Sequence, residues 1–160
     1  MYDYGYWTAI PAYHVSQRTG TAQTPFTDQA RFLRMVRQAI SDERQAQQFY
    51  RLLAERANSK FQKEQIDHAY EDEVKHEKML IRLYSTITGQ SPHVSSAQAP
   101  ELADYLTGIR KAFTDELQAA EMYRDLYLMS NLPWVRDIFF ELITDEMEHA
   151  SRFAFIRAEL

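Results

Sequence analysis

The sequence predicts an all-α fold: a four-helix bundle written as two repeated helical hairpins with one long crossover, preceded by an N-terminal aromatic tail. Three observations carry this. Glycine and proline are scarce, 4 and 5 of 160 residues, too few for the turns of a sandwich or barrel. Pro25, Pro92, Pro100 and Pro133 bound long stretches that contain no other proline. The chain also repeats itself at a constant offset of 73 residues, which pairs Ala39 with Ala112, Asp42 with Asp115, Glu43 with Glu116 and Tyr50 with Tyr123. The same offset pairs Asp72 with Asp145, Glu73 with Glu146 and His76 with His149.

The first helix is expected over residues 28–57, capped by Thr27 after Pro25. The second runs over 60–88, with Ser59 and Gln62 as a capping box and Gly89 just past its end. The third is expected over 101–130. Gly108 weakens it by about 1 kcal/mol relative to Ala, and marks either a close helix contact or a later start. The fourth runs over 133–158, with Asn131 as cap and Pro133 in its first turn. Short links make helices 1 and 2, and 3 and 4, antiparallel neighbours. The link 89–99 is longer. Its eleven residues reach about 36–40 Å when extended, enough to carry the chain back along a helix of about 42 Å. By domain, residues 1–26 form the tail, with four tyrosines and Trp7, and 27–160 the bundle. The tail reads as a strap lying on the bundle or on a partner subunit.

Composition excludes several functions. There is no cysteine, hence no disulfide, thiolate metal site or thiol catalysis. The net charge of −5, without basic clusters, argues against nucleic acid or an anionic membrane as partner. No apolar run is long enough to cross a bilayer. The amino end lacks the basic and apolar regions of a signal peptide, so a cytoplasmic location is expected.

Each helix carries ionisable residues near the centre of its apolar stripe. Helix 1 reads Phe32, Val36, Ala39, Glu43, Ala46, Tyr50, Leu53, and helix 3 reads Ile109, Ala112, Glu116, Ala119, Tyr123, Leu126. Helices 2 and 4 place Glu73-x-x-His76 and Glu146-x-x-His149 in the same setting. Residues three apart on a helix lie about 60° and 4.5 Å apart, so each Glu and His lean toward one point. Four buried carboxylates repel one another and lose solvation, and two divalent cations balance them. Oxygen-rich ligation with one imidazole per metal suits iron or manganese, with zinc also able to occupy the site. By symmetry, Glu43 and His76 serve one metal, Glu116 and His149 the other, and Glu73 and Glu146 bridge. This is the ligand pattern of ferritin-like di-iron and di-manganese proteins. His14, His68 and His93 fall off the seam and read as surface. Glu71, Glu77, Glu121 and Glu148 read as outside the layer.

With Glu-x-x-Ala-x-x-x-Tyr on helices 1 and 3 and Asp-Glu-x-x-His on helices 2 and 4, residues 28–158 resemble the rubrerythrin/bacterioferritin branch of the ferritin-like superfamily. The resemblance implies that Asp72 and Asp145 orient the histidines, and that Tyr50 and Tyr123 lie near the metals as candidate catalytic residues. It differs in three respects. Rubrerythrins add a carboxylate three residues after the helix 3 ligand, where this chain has Ala119. They also carry a cysteine-rich module. The bacterioferritin haem methionine would fall at Val74, so no haem is expected. A cage of 24 subunits is not expected either, since the fifth helix is lacking, and a homodimer or small homo-oligomer is. The implied function is oxidation of Fe(II), or reduction of O₂ or peroxide, with electrons from an external donor. If the protein is an enzyme, it is a non-haem di-iron oxidoreductase. The alternative is a structural or docking bundle, associated with a coat or shell, in which metal only stabilises the fold.

Overall fold

The four breaker-free stretches fold as α1 (Gln29–Glu55), α2 (Lys60–Thr88), α3 (Tyr105–Met129) and α4 (Pro133–Ala158). The computed structural model describes residues 24–94 and 101–160. The strap expected of the tail therefore lies, from 1 to 23, outside the described residues. No helix among the described residues is long and apolar enough to cross a membrane.

Two helix starts follow local chemistry that differs from the expectation. Asp28, not Thr27, caps α1, its Oδ1 accepting from Arg31 N at 2.9 Å. Thr27 is drawn away because its N–H donates to Met129 O at 3.0 Å, beside the isolated bridge between Phe26 and Ser130. Asn131 does not cap α4 either. Its N–H donates to Pro25 O, Leu132 takes the cap position with no side-chain hydrogen bond, and Ser130 Oγ accepts from Leu132 N at 3.1 Å. The capping box at Ser59 holds on one side, with Gln62 N donating to Ser59 Oγ at 3.1 Å, while Gln62 Oε1 accepts from Asn58 N. Gly89 ends α2 in the left-handed region, φ 71°.

Gly108 marks both a contact and a later start. Asp104 caps α3, accepting from Thr107 N at 2.8 Å, so the helix begins at Tyr105 rather than 101. A Cβ on Gly108 would sit 2.6 Å from Leu53 Cδ1 and 2.5 Å from Leu102 Cδ1. Any side chain there would have to displace both leucine methyls.

This contact also fixes the topology. It sets the C-terminal end of α1 against the N-terminal end of α3, while Phe26 meets Ser130 at the opposite end. Helices α1 and α3 are therefore antiparallel. Gln65 pairs with Arg152 and Lys75 with Asp145, so α2 and α4 are antiparallel too. It follows that α2 and α3 point the same way, so the chain leaves α2 at one end of the bundle and enters α3 at the other. The sixteen residues 89–104 reach about 53–58 Å when extended, against about 43 Å for α2.

The core is divided in two. One apolar cluster contains Phe32, Val36, Leu80, Leu126, Phe139 and Leu142. The other contains Phe49, Leu53, Ile66, Ile109, Phe153 and Ile156. Phe32 meets Phe139 edge-on at 5.8 Å, and Tyr50 lies 5.2 Å from Phe153. Each fully buried large side chain contributes about 1.5–3 kcal/mol. Between the clusters lies a polar layer: Glu43, Glu73, His76, Glu116, Glu146 and His149, each no more than 3% exposed.

Candidate metal centre

Each helix brings its polar residues inward because they stand on the apolar stripe, one or two turns from fully buried neighbours. His76 Nδ1 lies 3.2 Å from Glu146 Oε1, 3.4 Å from Glu73 Oε2 and 3.9 Å from Glu43 Oε2. His149 Nδ1 lies 3.2 Å from Glu146 Oε2, 3.4 Å from Glu73 Oε1 and 3.6 Å from Glu116 Oε1. These form two overlapping donor groups, Glu43, Glu73, His76, Glu146 and Glu73, Glu116, Glu146, His149, with the donor atoms of each within 4.8 Å of one another. Glu73 and Glu146 belong to both groups.

The imidazoles face outward through Nε2. His76 pairs with Asp145 Oδ2 at 3.1 Å and His149 with Asp72 Oδ2 at 3.2 Å, so each crosses between α2 and α4. That leaves Nδ1 toward the carboxylates. The tyrosines also cross: Tyr50 donates to Glu116 and Tyr123 to Glu43. Both rings are buried and packed against Phe153 and Phe139.

Burial, then the charge of neighbouring glutamates, pushes Glu43 and Glu116 well above the usual carboxylate range. Burial also acts to raise Glu73 and Glu146, but their close glutamate and histidine neighbours hold both below it. Burial would lower His76 and His149, yet their aspartate partners, then the inner carboxylates, raise both. Without metal, the layer therefore favours the protonated forms of Glu43, Glu116, His76 and His149 beside the ionised forms of Glu73 and Glu146. Two divalent cations with four carboxylates and two neutral imidazoles balance at zero.

Donor chemistry agrees with a metal pair. Glu73 Oε1, Glu146 Oε1 and His76 Nδ1 are buried without a hydrogen-bond partner among the described residues. Unsatisfied buried oxygens are costly, and cations would satisfy them. The donor groups fit a di-metal site.

A cavity of about 420 Å³ opens between α1 and α3 onto this layer. Glu43, Glu73, Glu116 and Glu146 form its floor, Ala46 and Ala119 line its walls, and Asp42, Asp115, Gln45 and Gln118 lie toward solvent. The position at which rubrerythrins carry an extra carboxylate is therefore open space here.

Two residues gain a place that sequence reading did not assign. Lys75 Nζ lies 2.7 Å from Asp145 Oδ2, 3.1 Å from Asp72 Oδ1 and 3.5 Å from Glu141 Oε1. Its repeat mate is Glu148, so symmetry gave no signal, although Asp72 three residues earlier did. His68, read as surface, is half-exposed, but its Nε2 reaches Asp72 Oδ2 at 3.2 Å. Glu77 lies outside the layer, bound by Arg44 at 2.7 Å and Gln47 at 2.9 Å. Glu71, Glu121 and Glu148 are exposed.

Comparison with known proteins agrees. Residues 34–105 match the Rubrerythrin family profile. The uncharacterized protein YhjR of Bacillus subtilis is 34% identical over 137 residues, covering 84% of this chain and 92% of YhjR. A hypothetical protein from Pyrococcus furiosus superposes with a TM-score of 0.68 at 29% identity, over 80% of this chain and 87% of that one. A two-domain protein from Anabaena variabilis, with DJ-1/ThiJ/PfpI-like and ferritin-like domains, gives a TM-score of 0.67 at 20% identity. That match covers 84% of this chain and 38% of that one. In sequence and in fold, the chain belongs to the rubrerythrin-type family of ferritin-like proteins.

Proposed function

We propose that the chain is a non-haem di-metal oxidoreductase that oxidises Fe(II), or reduces O₂ or peroxide, at two iron ions, with manganese as the alternative. Glu43 and His76 hold one ion, Glu116 and His149 the other, and Glu73 and Glu146 bridge. The observation that carries this reading is the sharing of Glu73 and Glu146 between two buried donor groups, with an oxygen of each left unpartnered above an open cavity. When bound, a pair of Fe(II) ions supplies one electron each, which with two protons reduces peroxide to two waters.

The protein's own residues prepare that chemistry. Asp145 and Asp72 fix the imidazoles. Tyr123 and Tyr50 hold Glu43 and Glu116 in place, and stand as candidate catalytic side chains close to the reacting pair. The two apolar clusters exclude water from above and below, while the α1/α3 cavity admits a small oxidant. Electrons for turnover come from an external donor, in keeping with a cytoplasmic location. Haem has no part in this reading.

Reconstitution with Fe(II) under anaerobic conditions, followed by elemental analysis and exposure to peroxide, tests it. About two iron ions per chain and rapid oxidation are expected. Glu43→Ala and His149→Ala each abolish oxidation. Folded protein that retains no metal overturns the reading. Full occupancy without oxidation turns it into metal serving the fold alone.

A further inference from the structure

The two faces of the polar layer are not alike. Behind the histidines, on the α2/α4 side, Asp145 and Asp72 are both bound by the Lys75 cation. On the α1/α3 side the cavity runs from solvent to the buried glutamates. We propose that Asp42 and Asp115, at the outer part of this cavity, form a capture site for a divalent transition-metal cation, which passes from there to Glu43 and Glu116. This site presupposes the di-metal reading above.

Position supports it first. Asp42 immediately precedes Glu43, and Asp115 immediately precedes Glu116. One residue along a helix is about 100° of rotation and 1.5 Å of rise, so a cation moving from aspartate to glutamate passes inward by one residue, less than a third of a turn. All four side chains line one cavity. Ala46 and Ala119 keep the way open, since neither side chain extends beyond Cβ. At the bottom stand Glu73 and Glu146, 2% and 1% exposed, with Oε1 of each unpartnered. An acidic outer part thus leads to unsatisfied buried oxygens, and both attract a cation. On the other face, Lys75 already occupies Asp72 and Asp145.

The two aspartates are held differently, and this sets which one leads. At the equivalent positions of the repeat, four residues earlier, stand Gln38 and Lys111. Gln38 Nε2 donates to Asp42 Oδ1 at 2.8 Å, which leaves the carboxylate charge intact. Lys111 Nζ pairs with Asp115 Oδ2 at 2.5 Å and neutralises it. Asp42 is therefore the leading anion, and Lys111 opposes an arriving cation.

Stopped-flow uptake of Co(II) by the metal-free full chain tests the proposal, read from the visible absorbance of bound Co(II) and its plateau. Co(II) needs no oxidant, so uptake is separated from turnover. Asp42→Asn is expected to slow uptake about tenfold, within the range of electrostatic steering, with the plateau unchanged. Asp115→Asn slows it less. Lys111→Met speeds it several-fold. Gln38→Lys, which copies Lys111 onto the other half, slows it. The wild-type rate falls with ionic strength, and that of Asp42→Asn/Asp115→Asn is nearly flat. The opposite signs expected of Lys111→Met and Gln38→Lys keep the test decisive even if one aspartate variant folds poorly. A double aspartate variant that fills at the wild-type rate overturns the capture site, and so does faster uptake by Lys75→Met in place of Lys111→Met. A reduced plateau in that double variant overturns the transient role, because the aspartates would then be permanent ligands. Wild-type protein that takes up no Co(II) overturns the di-metal reading and this site with it.

Discussion

His76 on α2 donates from Nε2 to Asp145 on α4 at 3.1 Å, and the return crossing, His149 to Asp72, is made at 3.2 Å. Each histidine is thus oriented by the hairpin it does not belong to. The aspartates hold the proton on Nε2 and leave Nδ1 to the carboxylates. Lys75 closes the arrangement by binding both aspartates.

Asp145→Asn tests that arrangement. The amide can turn its NH₂ toward His76, and it gives Lys75 no charge. Metal affinity at the Glu43/His76 position is expected to fall about 10–100-fold, while the Glu116/His149 position changes little. Competition against a chromophoric chelator, which resolves two binding steps, checks this. Equal weakening of both steps would mean that the aspartates act as one unit through Lys75.

Protons and metals compete for the same layer, and the signs can be worked out. Glu43, Glu116, His76 and His149 are all raised in the folded metal-free chain. Above about pH 6, where the lowered carboxylates Glu73, Glu146, Asp72 and Asp145 are ionised in both states, the folded state then binds more protons than the unfolded state, so stability falls as pH rises. The histidine part is fully present below about pH 6.5 and is lost above it, toward the raised folded values. The glutamate part begins to be lost above about pH 4.3. Melting temperatures of chelator-treated protein are expected to fall from pH 6 to pH 9, while those of loaded protein hold or rise. Loading at neutral pH is expected to release protons, measurable in weak buffer with an indicator dye. Glu73→Ala removes most of the difference in melting temperature between loaded and metal-free protein.

The six positions of the buried polar layer were legible because a periodic pattern carries them. Glu43, Glu73 and His76 interrupt apolar stripes, and the 73-residue offset repeats the interruption at Glu116, Glu146 and His149. Such a pattern survives without coordinates, since helical spacing alone decides which side chains share a face. Lys75 was not legible. Its partners Asp145 and Glu141 lie on α4, and which residues meet across a helix pair depends on the rotation of both helices. The caps failed for a similar reason. Thr27 and Asn131 have suitable side chains, but the pairing of the 25–27 segment with 129–131 claims their backbone. Gly108 was legible as an anomaly, and only the packing of Leu53 and Leu102 supplied its cause.

Ala119 bears on redox behaviour. No carboxylate stands there to exchange for a histidine, and Ala46 is equally inert. Reduced and oxidised crystals of the iron-loaded protein are expected to show the same six ligands, with each iron keeping its histidine. An iron that leaves its histidine on reduction would show a ligand switch that needs no extra carboxylate.

Helix α4 exposes Phe140 (61%), Met147 (48%) and Phe155 (56%), and Phe61 of α2 meets Phe155 edge-on at 5.6 Å. Residues at this spacing share one side of a helix. A homodimer or small homo-oligomer is expected from light scattering of the full chain, and Phe140→Glu with Phe155→Glu should shift it toward monomer. A 24-subunit shell would contradict this.

The overlap of the donor groups has a consequence for how the molecule holds together. Glu43, Glu73 and His76 come from the first hairpin and Glu146 from the second; the other group draws Glu116, Glu146 and His149 from the second and Glu73 from the first. Neither hairpin owns a complete set. Two cations bound there would be a clasp between two half-molecules, joining the hairpins noncovalently. Each half lends the other one carboxylate, and the loan is mutual. Loss of metal would loosen the joint between hairpins before it loosened either hairpin within itself.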